Sequence, residues 1–169
     1  MTAIAKRRKP VQCSLAKVYE GGELPFAVTW AEKKFDGLRG IIDVSAGTAV
    51  TRTGMDIPNA DLIIAELKKS FKFEGKVLDG EFLANDWNLS QSIVKTQDLH
   101  PERHQLRFHV FDMVSTTEWA RKSSDVPLHD RYASLSGRCK LAELSLTILT
   151  EHTIVRTVEE AKLVLDQHD

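Results

Sequence analysis

An extended, glycine-punctuated stretch from Leu24 to Val50 limits the folds open to these residues. Phe26, Val28 and Trp30 alternate with other residues; Phe35, Leu38, Ile41, Ile42 and Val44 follow, and Gly37, Gly40 and Gly47 interrupt the run. A period near two with glycine breaks is the mark of strands rather than helices. The reading is two antiparallel strands joined by a tight turn at Asp36-Gly37, with a third strand over 48–52. Lys76 to Ala84, Arg107 to Val114 and Leu146 to Leu149 read as further strands.

Helical signals lie between them. Pro58-Asn59 opens a helix with Ile63, Leu67 and Phe71 at helical spacing, and Lys68, Lys69 and Lys72 suit its C-terminal dipole. His129 to Ala142 carries Tyr132, Leu135, Cys139 and Ala142 on one face. Thr157 and Glu160 form a capping box ahead of Val158, Ala161 and Leu165. Leu15 to Glu20 reads as a short helical turn ended by Gly21-Gly22, and Asp86 to Leu99 as a polar, mixed segment. The fold class is therefore α+β: antiparallel β-sheets flanked by helices, with a flexible tail over 1–14 and one domain, or a large piece of one, over 15–169. The last helix has no closing cap, glycine or strand after it, so the domain is expected to be truncated.

A formal net charge of -1 over 169 residues gives no support for a strongly basic nucleic-acid surface. Lys6, Arg7, Arg8 and Lys9 read as a solvated tail. No apolar run approaches the roughly 20 residues of a membrane span, and no apolar region follows the basic start, so neither a span nor a secretory signal is expected. Cys13 and Cys139 make no disulfide framework, the six histidines have no metal-ligand spacing, and a reducing cytoplasm is the expected setting.

The chemistry is concentrated in Lys34-Phe35-Asp36-Gly37-Leu38-Arg39. A neutral amine attacks phosphorus well, but a free lysine titrates near about 10.4 and is mostly protonated at neutral pH. Desolvation and neighbouring positive charge lower that value. Arg39 adds a planar fork of donors for a phosphate or a sugar hydroxyl. Taken alone, the motif is as well explained by a hairpin with a surface lysine pair.

Lys-x-Asp-Gly-x-Arg resembles the first signature of the covalent nucleotidyltransferases: DNA ligases, RNA ligases and RNA capping enzymes. The flanking Ala31-Glu32 and Leu38-Arg39-Gly40 look most like the short ATP-dependent DNA ligases of bacteriophages and related bacteria. Further signatures follow in order. Thr51-Arg52-Thr53-Gly54 resembles the second, Leu78-Asp79-Gly80-Glu81-Phe82 the third, and Phe108-His109-Val110-Phe111-Asp112 the fourth. The resemblance covers roughly residues 13–169.

The resemblance implies an ATP-grasp-like covalent nucleotidyltransferase fold, the adenylation domain of a ligase. Lys34 would be the residue joined to AMP. Arg39 would meet a phosphate or a sugar hydroxyl, Arg52 the phosphates of ATP or later the 5′-phosphate of the nick, Glu81 the ribose, Phe111 the adenine ring and, more weakly, Glu32 the adenine amino group. It implies ATP and Mg²⁺ as cofactors, with no protein ligand of the metal assigned. It also implies nicked double-stranded DNA as partner, a monomer, and a bacterial or phage-infected cytoplasm. The polar segment with Ser92 to Thr96 resembles a loop of phage ligases in which Lys95 is a possible DNA contact, and His109 reads as structural. The Glu-Gly and Lys-x-Lys signatures and the C-terminal OB-fold domain have no counterpart in these 169 residues, so the chain alone is expected to seal nicks poorly. An RNA ligase or capping-type enzyme, and a non-catalytic nucleotide- or DNA-binding module, are the competing readings.

Overall fold

The computed structural model describes residues 27–166. The basic tail, the turn at 15–22, Cys13 and the side chain of Leu165 lie outside the described residues. Two compact units are present, residues 36–149 and residues 27–35 with 150–166.

The larger unit is built on a five-stranded sheet in the order β3-β2-β4-β5-β6. Its strands are β2 (Leu38–Asp43), β3 (Thr48–Thr51), β4 (Lys76–Leu83), β5 (Arg107–Ser115) and β6 (Thr147–Leu149). All neighbours run antiparallel except β5 and β6, which are parallel, so the sheet is mixed. In the smaller unit β1 (Thr29–Glu32) pairs antiparallel with β7 (His152–Val155).

This pairing overturns the hairpin expected at Asp36-Gly37. β1 and β2 belong to different sheets, and residues 33–36 are a connection between them. Gly37 has another reason to be glycine: a Cβ there would lie 2.5 Å from the carbonyl oxygen of Phe82 and 2.8 Å from Glu81 Cγ. The residue is chosen by close approach of β4, not by a turn. Period-two hydrophobicity identifies strands but carries no information about which strands pair.

The sheet buries one face in the main core. Ile42, Ala49, Leu78, Phe82, Phe108, Val110 and Met113 point there, meeting Ile63 and Leu67 of α1 (Asp61–Lys69), Ile93 and Val94 of α2 (Trp87–Lys95) and Leu135 of α4 (Leu128–Leu141). The rings of Phe82 and Phe108 sit 4.7 Å apart, centroid to centroid. On the other face Ile41, Val50 and Val77 form a small cluster with Val114 and with Trp119 of α3 (Thr116–Arg121).

Local signals set the helix ends. α1 has Asp61 in its first turn and Lys68 and Lys69 in its last, matching the helix dipole. It stops at Ser70, earlier than the hydrophobic spacing suggested, and Phe71 is 74% exposed in the following 3-10 turn. The segment 86–99 is not merely polar. Asp86 caps α2 by accepting from the Leu89 amide at 2.9 Å, and the short amphipathic helix turns Ser90, Ile93 and Val94 inward. Buried Asn59 fastens the end of that segment, donating to the carbonyls of Ile93, Thr96 and Asp98 and accepting from the His100 amide. α5 (Val158–Asp166) begins as the Thr157–Glu160 pattern implied, with Glu160 N donating to Thr157 Oγ1 at 3.1 Å. The Glu160 carboxylate, however, takes the Arg156 amide at 2.6 Å. Among the described residues no helix is long and apolar enough to cross a membrane.

Candidate active site

The sheet face opposite the main core carries part of the motif set. Strand alternation places Arg39 of β2 and Asp79 and Glu81 of β4 on it, and Arg39 is directly opposite Glu81 in the ladder. A β-bulge between Asp79 and Gly80 shifts the β4–β5 register, so that Asp79 faces Asp112 while Gly80 faces Val110. Phe111 is the extra residue. The bulge breaks the alternation of β5: Val110 and Met113 are buried, and the two residues between them are both half-exposed. Phe111 and Asp112 thereby both stay out of the core.

Arg39 is the centre of the cluster. Its Nε donates to Asp79 Oδ1 at 3.0 Å and its Nη2 to Asp79 Oδ2 at 2.7 Å, a bidentate pair. Its guanidinium carbon lies 5.2 Å from the centroid of the Phe111 ring. Its carbonyl oxygen accepts from the Arg52 amide at 3.2 Å. Arg52 stands at the tip of a turn closed by Gly54, whose φ of 80° favours glycine and whose amide reaches Thr51 O at 2.8 Å. Burial pushes the Asp79 carboxyl above its ordinary range, with Asp112 adding to the rise, and the two bonds from Arg39 act in the opposite sense.

Gly80, between Asp79 and Glu81, is also set by close approach. A Cβ there would lie 2.5 Å from His109 O and 2.6 Å from the Phe108 ring. The glycine lets the core ring rise against β4 while its acidic neighbours face the other way.

A second bidentate pair was not legible in the sequence. Arg131 of α4 donates through Nε to Asp112 Oδ1 and through Nη2 to Asp112 Oδ2, each at 2.8 Å. Asp112 belongs to a recognised motif, but nothing in the residues around Arg131 marks it as a partner. The role of Asp79 as the clamp on Arg39 was also missed, although its motif was not.

Glu32 and Lys34 belong to the smaller unit. Glu32 ends β1, and its Oε2 lies 2.9 Å from Nε2 of His152, opposite it on β7. The His152 ring is tilted against Trp30 with centroids 4.7 Å apart. Lys34 lies in the connection 33–36, where Lys33 Nζ is 6.0 Å from the Phe35 ring. Lys95 ends α2, and its ammonium donates to Gln91 Oε1 one turn earlier.

The cluster can do recognisable chemistry. An arginine, a flat aromatic ring and a carboxylate on one face suit a phosphate, a base and sugar hydroxyls. No group of three or more metal-ligating side chains occurs among the described residues, and both oxygens of Asp79 and of Asp112 are taken by arginines. This donor set does not build a protein cage for a divalent ion. It is compatible with a cation that arrives on phosphate oxygens.

No protein-family model matches the sequence, and no curated protein matches it. Solved structures do match in fold. A Lig E DNA ligase superposes with a TM-score of 0.71 at 21% identity, over 95% of this chain and 57% of that one. The ATP-dependent DNA ligase of bacteriophage T7, in complex with ATP, gives 0.61 at 16% identity, over 82% and 52%. An archaeal ATP-dependent RNA ligase gives 0.54 at 23% identity, over 84% and 36%. The chain thus has the nucleotidyltransferase fold of these ligases and spans between about a third and just over half of their length.

Proposed function

We propose that this chain carries the AMP-accepting part of an ATP-dependent DNA ligase, with Lys34 as the nucleophile. The observation that supports it best is the position of Arg39. Motifs separated by tens of residues meet there: Arg39 itself, Asp79 and Glu81, Phe111, and the backbone of Arg52.

In this reading the Phe111 ring stacks on the adenine, Glu81 accepts hydrogen bonds from the ribose hydroxyls, and Arg39 and Arg52 face the phosphates. The adenine amino group is assigned, more weakly, to Glu32. ATP is consumed as substrate, and Mg²⁺ would supply charge that offsets its phosphates, with no protein ligand assigned to it. The Lys34 amine attacks the α-phosphorus. A P–N bond forms, the bond to pyrophosphate breaks, and the amine proton leaves to solvent. In a complete ligase of this kind AMP then passes to the 5′-phosphate at a nick and the 3′-hydroxyl displaces it; the 169 residues alone are expected to seal nicks poorly. Nick sealing, nicked duplex DNA as partner, a monomeric state and a cytoplasmic setting all belong to this proposal.

An RNA acceptor is a second reading, supported by the fold shared with an RNA ligase. Incubation with α-labelled ATP and Mg²⁺ tests the central step. A protein adduct that survives denaturing electrophoresis and alkali but is released by acid, as a P–N bond requires, is expected, absent in Lys34→Ala. No adduct, or one that persists in Lys34→Ala, would overturn the assignment. Labelling by GTP instead would indicate capping-type chemistry, and transfer of the label to nicked DNA or nicked RNA separates the two ligase readings.

A further inference from the structure

Beyond Glu81 the same sheet face continues into a cleft of about 450 Å³, lined by Asn85, His104, Gln105, Arg107 and His109 together with Leu83 and Ala84. His109 is the ladder partner of Glu81, and Arg107 that of Leu83. Residues two apart on a strand share a face, so the cleft begins one step along β4 and β5 from the candidate site, roughly 7 Å further on.

The lining is selective in charge. It holds a guanidinium, two imidazoles and two amides, and no aspartate or glutamate, in a chain whose net charge is -1. The polar groups are held in place. Arg107 Nη1 donates to His104 O at 2.8 Å and to Leu106 O at 3.1 Å. Asn85 Nδ2 donates to Gln105 Oε1 at 2.7 Å. The carboxylate of Glu102, on the loop behind, accepts from Gln105 Nε2 at 3.1 Å and so orients that amide. A planar fork beside two imidazoles, with no carboxylate among the lining side chains and with Asn85, Gln105 and Glu102 bonded to one another as a frame, is the chemistry of a phosphate ester site.

We infer that this cleft holds a backbone phosphate of the polynucleotide that receives AMP. The inference rests on the ligase reading for the identity of its occupant. The nucleotide's own triphosphate is the other source of the same chemistry. The sheet order argues against it: Arg52 follows β3, on the far side of β2 from β4 and β5, so phosphates directed to Arg52 run away from the cleft.

The test uses the full chain and a 5′-phosphorylated nicked DNA duplex, followed by fluorescence anisotropy at several salt concentrations. Arg107→Ala is expected to weaken binding roughly tenfold and to reduce the slope of log affinity against log salt by about one. His104→Glu, which places a carboxylate in the cleft at an exposed position, is expected to weaken binding at least as much with unchanged thermal stability. Adduct formation from ATP without polynucleotide should be unaffected in both. Binding unchanged in both variants, or no binding of the duplex by the unmodified chain, would overturn the inference. Equal loss of adduct formation and duplex binding would assign the cleft to ATP instead. Should the unmodified chain form no Lys34 adduct yet bind duplex through Arg107, the ligase reading fails and the cleft stands.

Discussion

Arg131 reaches from α4 to close on both carboxylate oxygens of Asp112, each contact 2.8 Å long, and the Met113 amide donates to the same carboxylate at 2.7 Å. This clamp lies one residue beyond Phe111, at the β-bulge. Both side chains are mostly shielded from water, at 16% and 18% exposure. Removing one partner strands the other charge, a larger loss than removing both. Arg131→Met is expected to lower stability by about 2 kcal/mol, or roughly 6 °C in Tm for a chain of this size. Adding Asp112→Asn should recover a substantial part. Urea unfolding of the single and double variants checks this, and a double variant no better than Arg131→Met would deny the coupling.

Phe111 is presented by that bulge beside Arg39. If its ring stacks on a base, losing it forfeits about 1–3 kcal/mol. Phe111→Ala should raise the ATP concentration needed for half-maximal adduct formation at least about tenfold, while Phe111→Tyr stays near the parent value. An unchanged half-saturation in Phe111→Ala would remove the ring from the nucleotide site.

Glu66 of α1 ties down the parallel strand. It accepts from Ser145 N and Oγ and from Leu146 N and Thr147 N, between 2.6 and 2.9 Å. Burial alone would raise its carboxyl, but the bonds from Ser145, Leu146 and Thr147 outweigh it and hold the group below its ordinary range. Glu66→Ala should therefore free β6 and cost about 2 kcal/mol. Hydrogen exchange is the direct readout: protection of the Phe108 amide, which donates to Leu146 O, should fall selectively.

Glu118 makes stability pH-dependent in acid. In a capping box at the start of α3, the Ser115 hydroxyl, the Ser124 hydroxyl and the Ser115 amide hold its carboxyl down at about 2. The folded value lies below the ordinary 4.5. The stabilisation is therefore complete above about 4.5 and is lost as pH falls through about 2. Glu118→Gln should be less stable than the parent at neutral pH, and the gap should close as pH falls from 4.5 to 2. Unfolding free energies measured across that window would show it; a constant gap would mean that the charge of Glu118 is immaterial.

Where the sequence was legible, the reason is that local chemistry left a local trace. The strands at 76–84 and 107–114 are rich in β-forming apolar residues interrupted by charged ones, and β4 and β5 follow them within a residue. The motif glycines could be seen as necessary, but the cause at Gly37 could not. A turn and a close approach demand the same residue, and only the backbone of Phe82 at 2.5 Å distinguishes them. Phe71 falls at helical spacing yet follows a helix that has already ended at Lys69, because periodicity does not record where a cap interrupts it. α2 was hidden by its polar face, since a nine-residue helix with few apolar positions resembles a loop until its buried side is known.

Neighbour-scale propensity and alternation were enough to reveal the longer strands and helices, though not α2, α3 or β7, together with the order of the motifs and the residue types available for phosphate chemistry. Tertiary structure alone decided that β1 pairs with β7 rather than β2, that Arg39 closes on Asp79, and that Arg131 reaches Asp112. These are contacts between residues far apart in the chain. Their geometry follows from sheet order, register and one bulge, and none of the three leaves a periodic signal.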